Sequence, residues 1–139
     1  TGGAGSYIPG RGGSTGTPIG LIKFVTALEG GNIVDKNTSL EMKRLLYLTD
    51  RRIRYAASNK LDSAMVYFKS GSLYKCDKEK NPNCGKYQGN VYNYMNSVAI
   101  IEHPGGKKYA VCLMSNVHNK NSAYDHLMLA SKIDAIIKN

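Results

Sequence analysis

Apolar residues recur at helical spacing in two segments near the start of the chain. Ile19, Leu21, Ile22, Val25 and Leu28 follow Thr17-Pro18, an N-cap and a first-turn proline, and Gly30-Gly31 stop the run. The spacing predicts a helix over 18–29. Leu40, Met42, Leu45, Leu46 and Leu48 give a second apolar face, and predict a helix that starts near Thr38-Ser39 and fades near Thr49-Asp50. Residues 51–63 are basic and polar, with Ala56-Ala57 and Leu61 among them, and read as a short helix or an irregular connector. The pattern then changes. Ala64-Met65-Val66-Tyr67-Phe68 is short and rich in β-formers, and it ends in Lys69-Ser70-Gly71. A long polar excursion over 72–94 follows. Strands are expected from Ser97 to Glu102 and from Lys107 to Ser115, joined by the turn His103-Pro104-Gly105-Gly106. Both are nearly continuously apolar, so both faces of their sheet should be covered. Ser122 to Lys138 predicts a terminal helix, with Leu127, Leu129, Ala130, Ile133, Ile136 and Ile137 inward. Helix, helix, strand, strand, strand, helix is an α+β order, an antiparallel β-sheet packed with helices.

Composition narrows the picture. A length of 139 residues fits one domain with a real core. Residues 1–16 are glycine-rich and read as a linker or arm, leaving 17–139 as the folded unit. The opening Thr1-Gly2-Gly3-Ala4-Gly5-Ser6 has no initiator Met and no basic-then-apolar leader, and reads as the edge of a processed fragment. No apolar run approaches the roughly 20 residues needed for a membrane span. The net charge of +9 allows binding to nucleic acid, anionic lipid or an anionic cell-wall polymer. Lys and Arg are scattered, however. Arg51-Arg52-Ile53-Arg54 is the one dense cluster, and no RNP-like aromatic motif or zinc-finger spacing accompanies it, so no nucleic acid is expected. Those arginines read as a solvated face able to pair with Asp50 or Asp62.

Cys76 and Cys84 flank a polar stretch, as a disulfide in an exported protein or as two loop thiols in a cytosolic one. Cys112 lies in an apolar run and reads as a buried small hydrophobe. No cysteine or histidine spacing suits zinc, and no cofactor is implied. His103 reads as a solvated turn residue. His118 and His126 flank the last connector without a carboxylate at triad-like placement. Tyr74, Tyr87, Tyr92 and Tyr94 crowd the excursion, either as a recognition surface or as packing for the loop itself.

Lys69-Ser70-Gly71 is where chemistry is expected. At a strand end Lys69 would aim an ammonium into a cleft beside the Ser70 hydroxyl, and Gly71 would admit a substrate close to the backbone. An ammonium, a hydroxyl and open N–H groups together form a carboxylate and oxyanion receptor.

In this setting the chain resembles the penicillin-recognising serine hydrolases, closest to the class A β-lactamase branch. The resemblance runs from Thr17 to Asn139. It is carried by the Thr17-Pro18 helix start and by Arg52-Ile53-Arg54 ahead of the strand Met65 to Gly71 with its Lys-[Ser/Thr]-Gly box. Asn96 to Ile101, Pro104-Gly105-Gly106, Tyr109 to Leu113 and the terminal helix carry it further. It implies acyl transfer through a serine ester on a lactam, a peptide or an ester. Lys69 would lie beside the nucleophile and Ser70 would donate to the substrate carboxylate, both counted as catalytic. Gly71 and Ser72 would bind substrate, the Ser72 N–H as half of the oxyanion hole. It also implies a secreted or periplasmic location. The family's nucleophile box, its Ser-x-Asn-like element and its glutamate precede the region covered. Ser72-Leu73-Tyr74-Lys75 and Tyr94-Met95-Asn96 match by coincidence, and no arginine falls in 95–102. The chain thus reads as the substrate-binding half of such an enzyme, with the missing N-terminal half as a partner. The alternatives are a complete small domain whose box arises by chance, and a basic non-catalytic binding module for cell wall or another polyanion.

Overall fold

Thr17 has the extended backbone of an N-cap, and its hydroxyl accepts the Gly20 N–H at 3.0 Å, starting helix α1 (Pro18–Glu29). The computed structural model describes residues 16–49, 51–76, 79, 82–89 and 91–139. The glycine-rich segment therefore lies outside the described residues, save Gly16. Helix α2 (Lys36–Tyr47) starts two residues ahead of Thr38, because the Asp35 carboxylate takes the Thr38 N–H at 2.7 Å. That bond holds the Asp35 carboxyl below its ordinary pKa. Ser39 is then buried inside the helix, where its hydroxyl accepts from the Ile33 N–H and donates to the Ile33 carbonyl.

The basic connector folds as two 3-10 turns, Arg54–Ala57 and Asn59–Leu61. Arg51 is exposed, but Arg52 and Arg54 are not a solvated face. Arg52 donates to the Leu61 and Ala64 carbonyls, each at 2.8 Å, and Arg54 reaches the sheet. Asp50 lies outside the described residues, and among those described no ion pair joins Asp62 to the cluster.

Three strands form one antiparallel sheet in the order β1 (Met65–Lys75), β2 (Tyr92–Glu102), β3 (Lys108–Asn116). The β1–β2 ladder runs from Met65 opposite Glu102 to Lys75 opposite Tyr92. Lys69-Ser70-Gly71 therefore lies in the middle of β1, not at its end, and among the described residues β1 is an edge strand. The extension is held by cross-strand pairs such as Leu73 opposite Tyr94. In the β2–β3 turn the His103 N–H donates to the Lys107 carbonyl at 2.9 Å. Gly105 and Gly106 both take positive φ there, 92° and 88°, a geometry that costs side-chain-bearing residues.

Both faces of the sheet are covered, as expected. Val66, Phe68, Ala99, Ile101 and Val111 meet Tyr55, Leu61 and Ala130 from the 3-10 turns and helix α3 (Ala123–Lys138). Tyr67, Val98, Ile100 and Ala110 meet Val25 and Leu28 of α1 and Met42 and Leu46 of α2. Fully burying aliphatic side chains of this size stabilises by roughly 1.5–3 kcal/mol each.

Helix α3 turns Ala130 and Ile133 inward as expected, but its buried stripe also includes two polar residues. His126, Ala130 and Asp134 are buried, while Leu129 and Ile136 are exposed. His103 is likewise no solvated turn residue. It is 6% exposed, and its Nε2 lies 2.6 Å from Asp134 Oδ1. Cys112 is half-buried, and that burial raises its thiol pKa.

Candidate functional site

Alternation along β1 sends successive side chains to opposite faces. Lys69 and Gly71 share the α1/α2 face with Tyr67, whereas Ser70 and Ser72 share the α3 face with Phe68. A cavity of about 200 Å³ lies on the former side. Leu21, Phe24, Val25 and Leu46 wall it on the helical side, and Lys69 to Gly71 with Asn96 to Val98 form its sheet side. The Lys69 ammonium is not aimed into a closed cleft. It is exposed, and it donates to the neighbouring Ser70 carbonyl at 3.0 Å. Ser70 is half-buried opposite Ser97, and Ser72 is exposed opposite Met95.

Arg54, which the sequence pattern hid within a basic cluster, lies against the Lys69-Ser70-Gly71 strand. Its backbone takes a φ of 55°, uncommon for a non-glycine residue. One guanidinium nitrogen, Nη1, donates to the Gly71 carbonyl at 2.7 Å and to the Asn96 carbonyl at 3.3 Å. These two residues face each other across the ladder, so one cation clasps both strands beside Ser70. Burial pushes the Arg54 pKa down. Its Nε and Nη2 donors make no hydrogen bond among the described residues. The one sequence signal was its place directly before the apolar Tyr55-Ala56.

Beneath the same strands His126, 2% exposed, is held at both ring nitrogens. Nδ1 lies 3.1 Å from Ser97 Oγ and Nε2 lies 3.0 Å from Ser115 Oγ. Ser115 Oγ also donates to the Met95 carbonyl at 3.0 Å and meets Ser122 Oγ at 3.1 Å. Burial first, and then the Arg54 charge, holds His126 below the ordinary histidine pKa despite Asp125. His118 is exposed, with Nδ1 3.3 Å from the Gly89 carbonyl.

Beyond Lys75, Cys76 and Cys84 are joined by a disulfide, with Cα atoms 5.9 Å apart. Tyr92 and Tyr94 stack on each other, ring centroids 5.5 Å apart and nearly parallel. They continue the Lys69–Gly71 face of the sheet. Lys86 lies over the Tyr87 ring, and Tyr74 is exposed.

Residues 3–137 match the profile of the beta-lactamase enzyme family. The chain belongs to that family. Its match begins within the glycine-rich segment. Two solved structures show the corresponding fold, both of the TLA-1 extended-spectrum β-lactamase. A serine-to-glycine variant of that enzyme superposes with a TM-score of 0.63, and the enzyme itself with 0.60. Each is 17% identical, over 88% of this chain and 40% of the longer one. The chain thus spans two fifths of the length of these structures, and at that identity the likeness is one of fold. No curated protein shows significant similarity. For a beta-lactamase-family chain, the placement of Ser72-Leu73-Tyr74-Lys75 within β1 has a direct consequence. On a strand, residues three apart point to opposite faces, so Ser72 and Lys75 do not share a proton as a Ser-x-x-Lys pair on a helix would.

Proposed function

We propose that this chain is the substrate-binding half of a serine hydrolase of β-lactamase type, exported from the cytoplasm, whose nucleophile lies outside these 139 residues. The observation that carries the reading is the clasp at Gly71. Arg54 fixes the middle of β1 against β2, and its other donors, unpaired among the described residues, lie beside the half-buried Ser70 on a strand that also carries Lys69. A guanidinium with spare donors and a hydroxyl on the same face of β1 form a receptor for a carboxylate or a developing oxyanion, and the exposed Lys69 ammonium adds positive charge to the same strand from its other face. Arg54 fills the need for a guanidinium that the absence of arginine in 95–102 left open. Lys69 and Ser70 bind and polarise the substrate, Gly71 admits it to the edge of β1, and the Ser72 N–H takes part of the oxyanion charge. In the reaction a serine hydroxyl adds to the acyl carbonyl, the bond to the leaving nitrogen or oxygen breaks, and the hydroxyl proton ends on that leaving group. Water then cleaves the ester. A lactam, a stem peptide or an ester each satisfies this scheme. The disulfide supports export, since such bonds persist in oxidising compartments. No described helix is long and apolar enough to cross a membrane.

The test is acylation of the whole natural protein by a fluorescent penicillin, followed by denaturing gel and intact mass. A covalent adduct is expected. Lys69→Ala and Arg54→Ala should each slow its formation by about 10²–10³, the scale of losing one electrostatic contact to the reacting group. A folded protein that gives no adduct, yet binds cell-wall polymer with a steep loss in salt, overturns this reading in favour of the basic binding module.

A further inference from the structure

We infer that His126 is a positioning residue for the Lys69-Ser70-Gly71 strand, acting through Ser97 and Ser115. The inference rests on the reading that β1 is the acyl-binding element. Ser97 stands directly opposite Ser70 in the ladder, and Met95 stands directly opposite Ser72. The imidazole is tied to both ladder partners. Its Nδ1 meets the Ser97 hydroxyl, and its Nε2 meets Ser115, whose hydroxyl holds the Met95 carbonyl.

Proton bookkeeping fixes the state of the ring. Ser115 has one hydroxyl proton and gives it to Met95, so it accepts from Nε2–H. Nδ1 then carries a lone pair, and the Ser97 hydroxyl donates to it. Ser122 completes the set by meeting Ser115. Every polar atom of this group has a partner, within a layer otherwise built from residues such as Phe68, Ala99, Val111 and Ala130. A satisfied buried network of this kind specifies one arrangement of the strands around it. Protonation of Nδ1 removes the acceptor that orients Ser97. The charges that act on the ring are those of Arg54 on the first 3-10 turn, which opposes protonation, and Asp125 on its own helix, which favours it. Lys69 lies on the opposite face of the sheet.

The test is NMR on the chain with labelled histidine and backbone amides, and it requires no acylation. The imidazole nitrogen shifts should report the Nε2–H tautomer at pH 7. On acidification the amides of Ser70, Gly71 and Ser72 should shift with the same midpoint as His126, below the ordinary value. In His126→Gln, which keeps a donor and an acceptor, those amides should stay near their wild-type positions and stop titrating. His126→Phe, which keeps only the packing, should displace them. If His126→Phe does not fold, Ser97→Ala must displace the Ser70 amide instead. Site amides unmoved in a folded His126→Phe or Ser97→Ala protein, or titrating with another group's midpoint, overturn the inference. The two readings fail separately, because the penicillin adduct does not report this coupling and the amide shifts do not require the adduct.

Discussion

Asp134 is 1% exposed and carries partners on three elements: His103 after β2, Tyr109 on β3 and Lys138 on its own helix. Burial alone would raise its pKa. The bonds from Lys138, His103 and Tyr109 outweigh that and hold it below the ordinary carboxylate value of 3.8. The folded protein therefore binds this proton less readily than the unfolded chain, so the stabilisation is complete above that value and is lost as pH falls through the folded one. His126 shifts in the same direction, but from 6.5. Its contribution is complete above that value and declines as pH falls below it. Stability measured by urea unfolding across pH should thus fall in two steps on acidification. His126→Gln should remove the upper step and Asp134→Asn should reduce the lower one, to which the lowered carboxyls of Glu29, Asp35 and Glu41 also contribute. Asp134→Ala leaves His103 and Tyr109 without their shared acceptor, and should cost about 3–5 kcal/mol. Arg54 offers a second measurement at this scale. Its positive φ disfavours any side chain with a Cβ, so Arg54→Gly should be more stable than Arg54→Ala by about 1 kcal/mol in thermal or urea unfolding, although both lose the clasp.

Among the elements, those that local chemistry decides were legible in the sequence. The Thr17 cap and Pro18 define α1 within a few residues, and the paired glycines define the turn after His103. Elements whose extent depends on a partner were not. The far part of β1 reads as loop because Ser72-Leu73-Tyr74-Lys75 has no apolar run of its own, and it becomes strand only through pairing with Tyr92 to Met95. The polar members of the inward stripe of α3 were hidden for a related reason. His126 and Asp134 look like solvent positions until the serines, His103 and Tyr109 that satisfy them are brought near by the fold. The disulfide ties Cys76, the residue after β1, to Cys84 in the excursion, and so closes a short loop beside the end of the β1–β2 extension. Replacing Cys76 and Cys84 by serine should lower stability by roughly 2–3 kcal/mol in the chain-entropy model. Hydrogen exchange should localise the effect: the amides of Leu73 to Lys75 and of Tyr92 and Asn93 should exchange faster, while Ile100 and Ile101 keep their protection. Uniform acceleration along both strands would show that the extension is held by the sheet alone.

For the molecule as a whole, the α+β order and the covered sheet were readable because strand and helix periodicities change cleanly along the chain. The cavity wall and the Arg54 clasp were not, since both join residues far apart in sequence. The two layers that cover the sheet are unequal. The α3 side joins Tyr55, Leu61, Ala64, Val66, Phe68, Ile101 and Ala130 in one buried cluster, whereas the other side fully buries Val25, Leu28 and Ile100. Helix α2 buries only Ser39 completely, and it leaves Leu40, Leu45, Tyr47 and Leu48 exposed on or beside it. Much of its attachment is polar: Lys43 bridges Glu29 of α1 at 2.8 Å and Glu102 of β2 at 3.5 Å, and it lies over the Tyr67 ring. An element held by few buried apolar contacts opens at lower free energy than the core. Native-state hydrogen exchange should therefore show α2 opening first, well below the global unfolding free energy, with the α3-side strands last. Leu61→Ala should lower global stability by about 2–5 kcal/mol and shift every slow amide together. Lys43→Met should instead speed exchange in α2 while leaving Ile101 and Ala130 nearly unchanged. If α2 exchanges only with the global transition, its ion pairs and the Tyr67 contact join the two layers into a single cooperative unit, and the cavity beside Lys69 has a rigid wall.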